Sequence, residues 1–272
     1  MIRYRQADTV QEVAQILDWA ANEGWNPGLS DAAAFLNADP GGFFLADRDG
    51  EPVAAISVVN HSETMAFLGL YLCRPECRGQ GIGYGLWQQA LAHAGERSVG
   101  LDGVAAQQAN YARSGFVLSG ATRRFEGALE SRPDAAIARA RPDDLARLQA
   151  LDTTAGGYAR PRFLTAWLEG APDRITVCSE TGFATARLCR EGAKIGPVIA
   201  PTPNEALALA RAALAELPPV KAIIDLPDSA TGFEALLRAE GFVETFATAR
   251  MYRGTPPKPL PMLQAIATME LG

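Results

Sequence analysis

The carboxyl-terminal half of this chain repeats the amino-terminal half, and that repeat limits the fold more than any single motif does. Gly115-Phe116-Val117, Ala121-Thr122 and Arg124 recur as Gly241-Phe242-Val243, Ala247-Thr248 and Arg250, always 126 residues later. The openings match as well: Ile2, Asp8, Val10, Val13 and Leu17 are echoed by Ile137, Asp143, Leu145, Leu148 and Leu151. A chain of 272 residues holds one large domain or two of ordinary size. Matching order at both ends favours two copies of one α+β module. The pause at Glu130-Ser131-Arg132-Pro133-Asp134 divides them into 1–130 and 131–272.

Within the first copy the periodicity is readable. Asp8 or Thr9 caps a helix carrying Val10, Val13, Leu17 and Ala20 at helical spacing. The Gly-, Pro- and Ser-bearing stretch 22–32 interrupts it as a loop, and a short helix follows through Phe35. Three apolar runs, 42–48, 52–60 and 64–73, form a meander whose first turn is Asp49-Gly50. Next come a glycine cluster, a helix with Leu86, Trp87, Ala90, Leu91 and Ala94 on one face, a strand at 98–102, a helix near 105–114 and a strand at 115–126. The second copy repeats the middle strand as KIGPVIA (194–200) and the helix as 204–217, but only Pro-Thr-Pro separates them.

The cluster CRGQGIGYG (77–85) lies between a strand and a helix, the arrangement that offers backbone N–H groups and a helix dipole to a phosphate. A plain flexible turn is the alternative. The Gly-Lys-Ser/Thr ending of a P-loop is missing, and the spacing G-x-G-x-x-G fails from Gly79 and from Gly81. Asp102 at the end of the next strand loosely matches a ribose-binding acid, which leaves a nicotinamide oxidoreductase as a weak third reading.

Arg78-Gly79-Gln80-Gly81-Ile82-Gly83 resembles the R/Q-x-x-G-x-G/A pyrophosphate loop of the GNAT N-acetyltransferase superfamily, and Tyr111-Ala112-Arg113-Ser114-Gly115-Phe116 resembles its Y-x-x-x-G-F signature. The element order over 2–127 is similar too, and the whole chain resembles a bacterial two-module subgroup with a degenerate second copy. One departure is Val104, seven residues before Tyr111, where many members carry Asn. The resemblance implies two tandem mixed-sheet modules with flanking helices and acetyl-coenzyme A (acetyl-CoA) as cosubstrate. Arg78, Gly79, Gln80, Gly81, Ile82 and Gly83 would hold its pyrophosphate, and Leu70, Tyr71 and Leu72 its pantetheine arm. A backbone N–H near Tyr71 or Leu72 would polarise the thioester, and Tyr111 would protonate the departing thiolate.

An alkylamine acceptor must lose a proton before attack. Glu23, Asp31, His61, Glu63 and Asp102 are the candidate bases, and Glu23, Trp25, Asn26 and Asp31 are the candidate acceptor wall. Leu237 stands where Tyr111 would align in the second copy, and that copy also lacks the glycine loop. It is expected to be silent and to supply packing surface, an acceptor wall or a homodimer contact. The leading reading is an N-acetyltransferase for a small-molecule or peptide amine; the alternative is a non-catalytic coenzyme-A-binding sensor or interaction protein.

A net charge of −6 and a pI near 5.1, with no basic run, argue against nucleic acid as partner. No apolar run approaches the ~18 residues of a membrane span, and the start MIRYRQADTVQEV lacks a secretory pattern, so a cytoplasmic location is expected. The 4 cysteines carry no CxxC and the chain has 2 histidines. Cys73, Cys77, Cys178 and Cys189 therefore read as buried small hydrophobes, and no metal site is expected.

Overall fold

The computed structural model describes residues 1–218 and 220–272. The first copy runs β1 (Ile2–Gln6), α1 (Val10–Asn22), α2 (Asp31–Ala38), β2 (Phe43–Arg48), β3 (Glu51–Asn60), β4 (Met65–Cys73), α3 (Ile82–His93), β5 (Ser98–Gly103), α4 (Gln108–Arg113) and β6 (Val117–Gly127). The second repeats that order element for element: β7 (Ala138–Arg139), α5 (Leu145–Gly156), α6 (Pro161–Leu168), β8 (Arg174–Cys178), β9 (Phe183–Leu188), β10 (Ala193–Ile199), α7 (Pro203–Ala215), β11 (Ala222–Pro227), α8 (Thr231–Ala239) and β12 (Val243–Arg253). A short β13 (Leu263–Ala265) follows.

Local chemistry accounts for the boundaries. The Thr9 hydroxyl accepts from the Glu12 N–H at 3.2 Å and caps α1, which buries Val13, Ile16, Leu17 and Ala20. Asp49 and Gly50 both take positive φ, as a tight hairpin turn between β2 and β3 requires. The helical stripe of α3 buries Leu86, Trp87 and Ala90 against the first half of the sheet. On the other face α1 and α2 pack with α6 of the second copy, whose Trp167 stacks on Phe35 at 6.2 Å. Cys77, Cys178 and Cys189 are buried, Cys73 is half-buried and all four are free.

The sheet itself holds a feature that the division at 130/131 does not express. One 13-stranded sheet runs β1-β2-β3-β4-β5-β12-β6-β11-β10-β9-β8-β7, with β13 paired to β10. Each copy gives its last strand to the other: β12 pairs with β5, and β6 pairs with β11. The exchanged strands also pair with each other, Thr122 opposite Thr248, Ala121 opposite Ala249 and Arg123 opposite Ala247. Thr122 and Thr248, 126 positions apart, thus face each other at a local twofold axis, and their neighbours pair crosswise about that point. A buried ion pair clamps each exchange, Arg124 on Asp225 at 2.7 and 2.9 Å and Arg250 on Asp102 at 3.0 and 2.6 Å.

Both copies also open a wedge. Strands β4 and β5 are parallel partners only as far as Leu68 and Leu101, and β10 and β11 only through Lys194 and Ile223. In the second copy the wedge is filled. β13 pairs with Val198 and Ile199 of β10, and the Ile266 N–H donates to the Asp225 carbonyl at 3.0 Å. The tail then crosses to the first copy, where His61 Nε2 meets the Leu271 carbonyl at 2.7 Å, while Arg160 of the second copy binds the Gly272 carbonyl oxygen. Among the described residues no helix is long and apolar enough to cross a membrane.

Candidate active site

The glycine cluster becomes a loop with free donors. Gly79 and Gly81 adopt φ of +75° and +78°, a region that costs glycine little, and Gly81 caps α3. The backbone N–H groups from Gly79 to Tyr84 donate to no described acceptor, so they face outward at the positive end of a helix dipole. Arg78 is tied down by Nε to the Cys73 carbonyl at 2.9 Å and by Nη2 to Glu23 at 2.6 Å. Gln80 bonds Arg48 and the Glu76 carbonyl and does not line the cleft over the loop; Arg78, Gly79, Gly81, Ile82 and Gly83 do.

From the loop the cleft continues along β4. Register slips between Ala55 and Ser57 of β3, opposite Leu70 and Tyr71, and Leu70 takes φ of +48°. This bulge turns the β4 edge away from β5 just where their pairing ends. Leu70 and Tyr71 line the deeper cleft, and Leu72 lines its loop end. Trp25, Tyr71, Val104 and Gln107 border both parts, so the loop and the wedge share one continuous groove.

Tyr111 stands at the wall of the deep part. Its ring stacks on Trp87 at 5.6 Å and meets Phe116 edge-on at 6.4 Å. The side chain is buried, yet its hydroxyl bonds no described residue. Burial, with the neighbouring Tyr71, pushes the phenol up to about 12. It is therefore protonated throughout the neutral range.

Several sequence-derived candidates lie elsewhere. Asp31, the first residue of α2, is buried, accepts from the Gly28 N–H at 2.8 Å and pairs with Arg187 at 3.2 Å, so it ties the modules together and does not line the cleft. Asn26 bonds the Glu191 backbone through both amide atoms, also between the modules. Glu23 sits at the loop end beside Arg78. Trp25 lines the groove. Among the suggested bases, Glu63 is exposed on the β3–β4 turn, and His61 holds the tail. Asp102 borders the cleft, but Arg250, Thr122 and Thr248 occupy its oxygens.

The deep cleft, about 660 Å³ with its mouth, also has walls that local sequence reasoning missed: Arg124, Phe246, Thr248, Met269 and Glu270. The recurrence of Arg124 as Arg250 was one available signal. Met269 and Glu270 carried none, because the tail after PPKPLP shows no periodicity.

Comparison with known proteins gives the family. Residues 10–116 match the model "Acetyltransferase (GNAT) family", and residues 148–266 match "Acetyltransferase (GNAT) domain". A curated relative, the holothin acyltransferase of Pseudoalteromonas sp. (strain SANK 73390), is 35% identical over 97% of this chain and 92% of its own length. Among solved structures, a putative acetyltransferase from Pyrococcus horikoshii superposes with a TM-score of 0.84 at 20% identity, covering 100% of this chain and 96% of that one. A tandem GNAT protein from the clavulanic acid biosynthesis pathway superposes at 0.62 and 15% identity, covering 93% and 98%. With two GNAT modules in one sheet and a full-length acyltransferase relative, this chain belongs to the GNAT acetyltransferase family and is an acyltransferase of its tandem kind.

Proposed function

We propose that the chain is an acetyl-CoA-dependent N-acyltransferase, active in its first module and silent in its second, that acylates a primary amine. One observation carries the reading. The free N–H groups of the loop, the bulged edge of β4 and the unbonded hydroxyl of Tyr111 border one groove. Bound acetyl-CoA supplies an activated acyl group as a thioester. The N–H groups from Gly79 to Tyr84 receive its pyrophosphate, and the edge of Leu70, Tyr71 and Leu72 pairs with the amides of its arm. A backbone N–H at the bulge donates a hydrogen bond to the carbonyl oxygen as negative charge develops on it.

Tyr111 then donates its proton to the departing sulfur. A phenol near 12 is a weak acid against a solvated thiolate of about 8.5–9. Burial disfavours the anionic thiolate as well as the phenolate, so in the wedge the sulfur's affinity for a proton rises along with that of the phenol. Tyr111→Phe is expected to lower turnover by about 10²–10⁴-fold while coenzyme A affinity holds. Unchanged turnover refutes the role.

The second copy lacks the loop, carries Leu237 in the Tyr111 position, and has its wedge filled by β13. Calorimetric titration with coenzyme A should therefore count one site per chain; two sites contradict the asymmetry. The holothin acyltransferase relative makes holothin the first acceptor to test, beside a panel of primary amines.

A further inference from the structure

The cleft beside Tyr111 is closed by the carboxyl-terminal segment, which arrives from the other module. At Gly69, next to the bulge, a Cβ would come within 2.1 Å of the Glu270 carbonyl oxygen, so the tail is seated directly on the β4 backbone. Its conformation is set locally. The Thr268 hydroxyl accepts from the N–H groups of Glu270 and Leu271 at 2.9 and 3.1 Å and donates to Glu270 Oε2 at 2.6 Å. Glu270 Oε1 accepts from no described residue, although the side chain is buried in the cleft wall.

Glu270 Oε1 is not among the fully buried unpartnered polar atoms, so it is the part of this side chain that opens on the cleft and is free to receive a donor. The other carboxylates near the deep cleft are occupied. Asp102 is held by Arg250 and two threonines, and Asp225 by Arg124. Lys194 and Arg124 act on Glu270 from beyond ion-pair distance and hold it below the usual carboxylate range, so it is ionised. It is a ready hydrogen-bond acceptor and a poor base.

We propose that Glu270 is the acceptor-binding carboxylate of this enzyme, receiving an N–H of the incoming primary amine and orienting its nitrogen beside Tyr111. This rests on the acyl-transfer reading above and adds the substrate class. Trp25, Phe246 and Met269 cover the body of the acceptor, which is compact and apolar or aromatic. Asp102, the other carboxylate on this wall, is already taken by Arg250, so a second positive charge finds no partner there and long polyamines and lysine-rich peptides fit poorly.

The test measures steady-state kinetics with a graded amine panel for the parent, Glu270→Gln and Glu270→Ala. Gln keeps the shape and an acceptor for Thr268 but removes the charge, so it separates recognition from folding. A charge-assisted hydrogen bond predicts kcat/KM for the amine to fall about 10–100-fold in Glu270→Gln, mainly through KM, with melting temperature and coenzyme A affinity unchanged. An unchanged kcat/KM overturns the role of Glu270, and an equal loss of coenzyme A affinity overturns it in favour of a structural one. Faster turnover of polyamines than of compact aromatic amines overturns the substrate class. A parent that binds coenzyme A but acylates no amine overturns the acyl-transfer reading itself, a result distinct from an active parent with indifferent variants.

Discussion

Replacing Arg250 by Met should cost this protein much more than the loss of one cation, because of what it leaves behind. Asp102 has 1% of its side chain exposed and accepts from Arg250 Nε and Nη2, Thr122 Oγ1 and Thr248 Oγ1. Without the guanidinium, a buried carboxylate keeps only two neutral donors. Breaking a buried pair from one side costs about 3–5 kcal/mol, and for a chain of this size each kcal/mol lowers the melting temperature by roughly 2–4 °C. Thermal unfolding should therefore shift down by roughly 6–20 °C. The loss should also depend on pH in a particular direction. Burial already pushes the Asp102 carboxyl up, and removal of its cation pushes it further. A folded-state value raised above the unfolded one gives stability at low pH that is lost as pH rises through it. The gap between parent and variant should accordingly narrow at mildly acidic pH and widen at mildly alkaline pH. Asp102→Asn in the same background keeps a carbonyl for both threonines and removes the stranded charge, so it should restore about 1–3 kcal/mol. A single variant within 1 °C of the parent, or a double variant less stable than the single, refutes the claim that this pair clamps the strand exchange.

The remaining predictions concern the tail. Gly69→Ala places a methyl within 2.1 Å of the Glu270 carbonyl oxygen, and overpacking of this kind costs about 1–3 kcal/mol. Both melting temperature and amine KM should suffer, and a variant matching the parent in both refutes the seating of the tail on β4. His61 is pushed down to about 4, chiefly by burial, and its Nε2 holds the Leu271 carbonyl. Its folded value lies below the ordinary 6.5, so its contribution is complete above 6.5 and is lost as pH falls through about 4, a total of about 3 kcal/mol. His61→Asn, which cannot titrate, should lose less stability than the parent between those limits in denaturant titrations; parallel losses contradict this.

Much of the architecture was readable because it depends on neighbours in sequence. Apolar spacing, the Thr9 cap, the Asp49-Gly50 turn and the glycine cluster act over a few residues, and each lies where its pattern indicates. Asp31 shows the limit of such reasoning. In sequence it is a loop acid beside a Trp; in the structure Arg187, from the other module, has taken it. Asp102 likewise looked like an available acid until Arg250 arrived from the last strand of the second copy.

The amino-acid sequence alone determined that there are two copies of one module and that only the first keeps the glycine loop and the tyrosine. Tertiary structure decided which strand completes which copy. β6 and β12 share the residues that mark the strand, Val117 with Val243, Ala121 with Ala247, Thr122 with Thr248 and Arg124 with Arg250, so that pattern cannot choose between the edges of β5 and β11. Long-range ion pairs and the shared contact at Thr122 and Thr248 settle that choice. The tail was also a tertiary decision. Its residues have no pattern of their own, and they gain structure by filling one wedge and walling the other. Glu270 thus reaches the deep cleft from the far end of the chain.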